Sequence, residues 1–366
     1  MHDVVVVGAG FAGLAFARRA AELGLAVVVL ERQAKPGDRV RTTGILVREA
    51  CREWTAPPEL VRRIRRVKVY TPTHRSIELE RRDYFFAATD TPRLMRHLAR
   101  ETVGAGAEIR FGESFRGATV EDRHVLVKGV KGTGLRCRLL VGADGASSVV
   151  AESVGLDRNT RVLKGVEWEF EGVDETDRCL HCFVDPECAP GYIGWVVPGV
   201  GITQVGLAVH SRARARLASF VERIAGRFGL SDRRVVAKRG GIIPIGGLLP
   251  RFYSDRVLLI GDAAGMVSPL TAGGIHNAYR YGRIGADAAW AHLREGGPHP
   301  GEALRRAYPK GSLKRLARWG YDRLPVGRAL EAGILAHTLG RRVAGAVFFG
   351  RGGSDTIARA SARATP

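Results

Sequence analysis

Asp3-Val4-Val5-Val6-Val7-Gly8-Ala9-Gly10-Phe11-Ala12-Gly13 opens the chain with a β-branched run that passes straight into a G-x-G-x-x-G turn. Four consecutive valines running into glycine read as a strand buried on both faces, as in a parallel sheet. Leu14 to Leu23 reads as an Ala-rich helix that Gly24 ends, and Ala26 to Leu30 reads as a second apolar strand finishing on Glu31. Each part suits a dinucleotide. Gly8 permits a tight turn, Gly10 lets backbone N–H groups approach a pyrophosphate, and Gly13 lets the helix pack closely on the strand. The helix N-terminus offers unpaired N–H donors and the positive end of a dipole. Glu31 stands at a strand tip, where it can accept hydrogen bonds from a ribose diol, and Phe11, Ala12 and Arg32 complete the candidate contacts of this stretch. Strand, turn, helix, strand and acid in that order make the glycine pattern specific.

At 366 residues the chain has room for two domains. Its 45% hydrophobic and 26% charged residues are ordinary for a globular protein, whereas a formal net charge of +20 is not. Such an excess implies an anionic partner, whether lipid head groups, nucleic acid or an acidic protein. Met1 and His2 lead directly into the first strand, so no leader is expected. No stretch of about eighteen uninterrupted apolar residues occurs, which argues against a membrane-spanning helix. The five cysteines suit free thiols in a reducing cytoplasm. Cys179-Leu180-His181-Cys182 and Cys188 invite a metal reading, but positions 179 and 182 of a strand face opposite ways and no second pair follows. No metal site is expected.

Two further strands deliver an acid to their tips. Arg138 to Gly142 runs into Ala143-Asp144-Gly145, with Ser147 and Ser148 capping a helix to about Val154. Arg256 to Ile260 runs into Gly261-Asp262, and Pro269, Gly273 and Gly274 precede a long helix to about Leu293. Ligands of open α/β sheets sit at the C-terminal ends of strands, so three stretches converge on one cofactor. Between them, Arg32 to Thr43 reads as a loop whose Arg39 and Arg41 suit a second approach to a pyrophosphate. Gly44 to Val47 opens a short helix to Trp54, and Asp90-Thr91-Pro92-Arg93 starts a helix to about Gly104. Val67 to Thr71 and Ser76 to Leu79 read as a hairpin of a second sheet, continued by strands such as Tyr192 to Val197 and by a helix from Arg212 to Phe228. The expected class is α/β: a Rossmann-type domain with a parallel sheet (1–66, 90–160 and 240–295), a substrate domain with a mixed or antiparallel sheet (67–89 and 161–239), and a basic C-terminal helical segment (296–366).

The three stretches resemble the three FAD motifs of flavoproteins with the p-hydroxybenzoate hydroxylase fold: the Gly-rich turn, the Asp-Gly motif at Asp144-Gly145 and the Gly-Asp motif at Gly261-Asp262. The resemblance implies FAD as cofactor. It sets Glu31 on the adenosine ribose, Asp262 on the ribityl chain or pyrophosphate, Arg41 near the pyrophosphate, Gly44 and Ile45 near the flavin ring, and Arg93 against the cofactor. Gly273, Gly274 and Ile275 would aim N–H groups at the flavin N1/C2 carbonyl and stabilise the anionic reduced ring.

Within that fold, Tyr192-Ile193-Gly194-Trp195-Val196-Val197-Pro198 is similar to the Tyr-x-Trp-x-Phe-Pro strand of the geranylgeranyl reductase group, and Thr271 to Ala278 to that group's Gly-Gly-Ile stretch. One extra residue separates Tyr192 from Trp195, Val197 stands in place of Phe, and no cysteine follows Lys35-Pro36. Ala151 and Glu152 stand where an arginine is usual after the Asp-Gly motif. Tyr192, Trp195 and His276 are the candidate residues of a catalytic cavity near the flavin.

The resemblance implies an FAD-dependent oxidoreductase that reduces C=C bonds of an isoprenoid lipid by hydride transfer from flavin N5. A monooxygenase of the same fold, acting on an aromatic or lipid substrate with NADPH and dioxygen, shares all three motifs. A reading of another class is a non-catalytic flavoprotein that binds anionic membranes or nucleic acid. The electron donor is expected to be NADPH, NADH or a reduced protein carrier. No nucleic-acid module is recognised. The tail interleaves Arg305, Arg306, Lys310, Lys314, Arg315, Arg318, Arg323, Arg328, Arg341 and Arg342 with Leu313, Leu316, Trp319, Leu324, Leu330, Ile334, Leu335, Val343, Val347 and Phe348. That pattern suits helices in a head-group layer, so the expectation is a cytoplasmic protein, peripheral on the inner membrane face.

Overall fold

A computed structural model of the chain describes residues 1–129, 134–309, 312–323, 338–349 and 356–361. These form two compact units: Met1–Val40, Thr91–Val162 and Ile243–Arg315 in the first, and Arg41–Asp90, Leu163–Ile242 and Leu316–Pro366 in the second.

The valine run forms the strand His2–Val7, inside an eight-stranded sheet. It pairs in parallel with Gly134–Gly142 on one side (Val6 opposite Val141) and with Val27–Glu31 on the other (Val6 opposite Val29). Val257–Leu259 and Glu108–Phe111 extend the parallel core outward. Val4, Val5 and Val6 have no exposed surface, as strands covered on both faces require. The helices Phe11–Glu22 and Ile275–Glu295 cover the sheet and nearly touch: a Cβ on Gly282 would stand 2.7 Å from the carbonyl oxygen of Ala12. Arg19 and Asp287 clasp the same pair of helices at 2.7 Å.

The second unit holds another eight-stranded sheet, ordered Val235–Pro244, Val162–Glu171, Ile202–His210, Gly194–Pro198, Cys179–Phe183, Arg66–Tyr70, Ser76–Arg81 and Thr356–Ser361. It is mixed: Cys179–Phe183 runs parallel to Arg66–Tyr70, whereas Cys179–Phe183 with Gly194–Pro198, Gly194–Pro198 with Ile202–His210, Ile202–His210 with Val162–Glu171, and Ser76–Arg81 with both Arg66–Tyr70 and Thr356–Ser361 are antiparallel. One face packs Val67, Val69, Leu180, Cys182 and Val197 with Ile64 and Phe86 of a small three-stranded sheet. The opposite face packs Phe170, Phe183, Val196, Val205 and Leu207 under the helix Leu217–Phe228. Cys179 and Cys182 thus belong to opposite faces. The five cysteines are free thiols; desolvation pushes Cys137 and Cys182 up to about 12 and Cys188 to about 11. Among the described residues no cluster of His, Cys, Asp or Glu could hold a metal ion, and no helix is long and apolar enough to cross a membrane.

Several boundaries differ from the sequence reading. Residues 41–66, expected with the dinucleotide domain, cluster with the second unit because Ile45–Val47 and Val61–Ile64 both pair with Phe86–Thr89. The tail is not a separate segment. Pro300–Ala307 belongs to the first unit, Leu316 onward clusters with the second, and Thr356–Ser361 adds a strand beside Ser76–Arg81. The helix expected from Arg212 starts at Leu217, where the apolar series Leu217, Phe220, Ile224 begins. Tyr192, expected on a strand, sits in a turn before Gly194–Pro198, next to Gly191 at φ +85°. The strand Phe115–Val120 was not foreseen. Lys310, Leu324, Arg328, Leu330, Ile334 and Leu335 lie outside the described residues.

Candidate active site

The Gly-rich turn is built without side chains. Gly8 holds φ +101°, and a Cβ on it would stand 2.5 Å from Ala143 O; a Cβ on Gly13 would stand 1.9 Å from Gly8 O. Neither position tolerates a larger residue. Gly10 caps the first helix with no side-chain hydrogen bond, and nothing lies within 4 Å of where its Cβ would be. No side chain caps the positive end of this helix dipole, and the space above Gly10 is open. Phe11 is half-buried and Ala12 buried beside the turn.

Acids at the strand tips organise backbone. Glu31 Oε2 accepts from Ala9 N at 2.8 Å and Oε1 accepts from Gln33 N at 2.9 Å, tying the turn to the second strand. Each oxygen keeps a lone pair for a ribose hydroxyl. Asp144, expected to contact the cofactor, caps the helix Val149–Ser153: Val149 N and Val150 N donate to Oδ2 at 2.7 and 3.0 Å, and Ser148 Oγ donates to Oδ1 at 2.7 Å. Asn159 Nδ2 bridges Ala146 O and Asp262 O at 3.1 and 2.9 Å, so the second and third tips are held together.

Burial pushes the Asp262 carboxyl up to about 6. Gly273 and Gly274 lead into the helix Ile275–Glu295, whose first turn carries neither a side-chain cap nor an acid, while Ala272 beside them is held in the left-handed region at φ 52°. Non-glycine residues adopt that region only when their surroundings enforce it. Gly145 and Gly261 hold positive φ at the other two tips. Arg32 and Arg93 are exposed and His276 is half-buried; all three belong to the first unit, whereas Arg41, Gly44, Ile45, Tyr192 and Trp195 belong to the second.

Within the second unit lies a polar cluster that the sequence reading missed. Glu167 and Glu169 share one face of Val162–Glu171, with Gly206 and Gln204 opposite them on the neighbouring strand. Trp195 also pairs with Gly206, and its indole lies across that glycine: a Cβ there would stand 2.6 Å from the ring. The indole Nε1 thereby reaches over one strand and donates to Glu167 Oε2 at 2.9 Å. Thr43 Oγ1 donates to the same oxygen at 2.6 Å. Arg239 Nη2 pairs with Glu169 Oε1 at 2.6 Å, and both partners are nearly buried. Two acids two residues apart on an internal strand were the available signal.

Three comparisons bear on these features. A model of an FAD binding domain matches residues 1–187. Digeranylgeranylglycerophospholipid reductase 2 of Methanopyrus kandleri is 31% identical over 320 residues, covering 80% of this chain and 78% of the relative. The enzyme of the same name from Methanothermobacter thermautotrophicus is 30% identical over 321 residues, covering 83% and 82%. The chain belongs to the digeranylgeranylglycerophospholipid reductase family.

It is an FAD-dependent oxidoreductase, and the first unit fits that cofactor: two helix N-termini without side-chain caps, open space over Gly10, and an acid at each of three strand tips. The fold agrees with solved structures. A geranylgeranyl bacteriochlorophyll reductase-like protein from Thermoplasma acidophilum superposes with a TM-score of 0.84 at 21% identity, covering 96% of this chain and 97% of its own. The p-nitrophenol 4-monooxygenase of Pseudomonas putida gives 0.74 at 18% identity, covering 94% and 96%. At those identities the likeness concerns fold alone.

Proposed function

We propose that the chain reduces isolated C=C bonds in the prenyl chains of a lipid. Membership of the reductase family carries this reading. Bound FAD, once reduced, supplies hydride from its N5. An isolated alkene has no carbonyl to polarise, so the protein's task is to hold it in place and keep water out. Half-buried Ile45, Val47, Ile193 and Trp195 rim an apolar core of the second unit and offer such a surface.

For the cofactor, Gly8, Gly10, Phe11, Ala12 and Gly13 take the pyrophosphate and Glu31 the adenosine ribose. Asp262 and Gly261 take the ribityl chain, and Gly273, Gly274 and Ile275 the reduced ring. Arg32, Arg41, Gly44, Ile45, Arg93, Asp144 and Gly145 are further proposed contacts, with the role of Asp144 exerted through the helix that it caps.

The test is anaerobic stopped-flow. Protein reduced by NADPH, NADH or a reduced protein carrier should stay reduced until prenyl lipid reoxidises it without oxygen. An oxygen-dependent hydroperoxide absorbance with hydroxylated product would replace this reading by a monooxygenase.

The same proposal extends to an anionic membrane surface. The helix Ser312–Arg323 buries an arginine and exposes two large apolar side chains. Arg318 is 1% exposed; it donates to Gly191 O at 2.7 Å, bonds Asp322, and lies against the rings of Tyr192 and Tyr321 at 5.7 and 5.2 Å. Leu316 and Trp319 are 61% and 49% exposed, with the Arg323 guanidinium 4.5 Å over the Trp319 ring. Exposed apolar side chains flanked by arginine suit a head-group layer. Flotation with anionic vesicles should carry the wild type and lose the Leu316→Ser/Trp319→Ser double variant; equal flotation of both would remove this surface from consideration.

A further inference from the structure

The three strand tips of the first unit are joined in different ways. A Cβ on Gly8, at the first tip, would stand 2.5 Å from Ala143 O of the second. A Cβ on Gly261, at the third, would stand 2.7 Å from Ala12 Cβ beside the first. Both joints are close approaches of backbone. The second and third tips are joined by a side chain. Their strands pair as far as Gly142 and Leu259, and Ile260 N donates to Gly142 O at 2.9 Å. Ala143 N then turns to the first strand and donates to Val7 O at 2.8 Å. Beyond that point Asn159 takes over, its Nδ2 donating to Ala146 O at 3.1 Å and to Asp262 O at 2.9 Å.

Both amide hydrogens of Asn159 are spent on the two tips. Its Oδ1 turns toward Gly265, where a Cβ would stand only 3.0 Å away. The loop that carries it is pinned on either side. Asp157 N donates to Arg251 O at 3.0 Å, Arg251 N donates back to Asp157 Oδ2 at 2.9 Å, and Ile245 N donates to Arg161 O at 2.9 Å. An amide anchored in this way holds its partners at a fixed spacing.

The bond to Asp262 O also bears on the Asp262 side chain. That oxygen accepts from Gly265 N as well, at 3.1 Å, so both of its lone pairs are engaged and the orientation of the peptide is set. The carboxyl of the same residue is left without such ties. Burial is the one influence that shifts it, so among the described residues no donor stabilises its charge. Its Oδ1 lies 3.2 Å from where a Cβ on Gly274 would be, facing the glycines that open the helix Ile275–Glu295.

We propose that Asn159 is a positioning residue for FAD, which fixes the spacing of the second and third tips and so aims the Asp262 carboxyl at the ribityl hydroxyls. The inference rests on the reading that Asp262 takes the ribityl chain, and adds what holds that acid in place. Asn159 acts through the backbone of residues 146 and 262. Hydrogen bonds weaken steeply with angle, so a peptide free to tilt at residue 262 weakens the bonds that its carboxyl makes.

The test is a double-mutant cycle on FAD affinity. Each protein is saturated with FAD and diluted, and the FAD released is read from its fluorescence. Asn159→Ala should weaken binding about 10- to 100-fold, the loss usual when a group that orients a ligand's partner is removed. Asp262→Ala should weaken it at least as much. Added to Asp262→Ala, Asn159→Ala should cost no more than about twofold further, the ordinary error of such cycles. The carboxyl to be aimed is then gone, while the carbonyl of residue 262 remains. An amide that served folding alone would cost the same in both backgrounds, because both carbonyls are present in each. If Asn159→Ala does not fold, Asn159→Gln, which keeps the donors on a longer side chain, carries the same cycle.

Equal losses in the two backgrounds, or wild-type affinity in Asn159→Ala, would overturn the proposal. Wild-type affinity in Asp262→Ala would instead overturn the ribityl reading, and with it the acid that Asn159 is held to aim.

Discussion

The Gly-rich turn and the Glu167 cluster do their work with opposite materials. In the turn the groups offered to a ligand are backbone N–H donors, and the acids beside it, Glu31 and Asp144, bond to backbone. In the cluster the backbone is committed to sheet pairing, and the polar chemistry comes from side chains on neighbouring strands together with Thr43. A site made of backbone is ruined by adding atoms. A site made of side chains is ruined by taking them away. Gly206 is the point at which the second borrows the logic of the first, because the Trp195 ring occupies the space that any Cβ there would need.

That contrast can be broken by substitution. The largest effect is expected at Gly13, where a Cβ would stand 1.9 Å from Gly8 O. Gly13→Val should yield protein without bound FAD, read directly from the flavin absorbance of the purified chain; a yellow protein would mean that the turn is not built as described.

Next comes a pH effect at Asp262. Its carboxyl sits at about 6 in the folded chain against an ordinary 3.8, so between those values the folded state binds the extra proton and stability falls as pH rises. In FAD-free protein the fall should total up to about 3 kcal/mol from pH 4 to 6 and then level off, and Asp262→Asn should flatten it. Urea midpoints across that range give the answer.

Gly206→Ala sharpens the comparison. Crowding the indole should cost about 1–3 kcal/mol in urea unfolding while FAD content stays at the wild-type level. A parallel loss of flavin would show that the two sites are not independent. The smallest effect is expected at Ala272, held at φ 52°. Ala272→Gly relieves a left-handed alanine and should raise stability by about 1 kcal/mol.

What the sequence made legible follows from range. Strand, turn, helix and strand tip are neighbours along the first thirty-one residues, and the two later Asp-bearing tips repeat the same local pattern. The use of Asp144 as a cap was less visible, since an acid four residues before Ser148 satisfies a capping reading and a cofactor reading equally well. The Glu167 cluster required register. Glu167, Trp195 and Gly206 meet only because three strands align them in one row, and no local pattern announces that alignment. The same holds for residues 41–66: their strands look local, but their partner is Phe86–Thr89. Tyr192 was misread because strand propensity favours it while Gly191 beside it sets a turn.

The helix-to-helix contact of the first unit has a consequence for how the chain comes into being. Arg19 and Asp287 are 268 positions apart, so the first helix cannot meet its covering partner until most of the chain exists. At about 5–20 residues per second of synthesis, the N-terminal strand and helix wait roughly 13 to 54 s with an apolar face uncovered. Contacts of such long separation also fold slowly, because loop closure precedes any stabilisation from them. The valine run that makes the sheet is, during that interval, the stretch most exposed to aggregation, and the yield of soluble protein should depend on translation rate and chaperone supply more than on the stability of the finished fold.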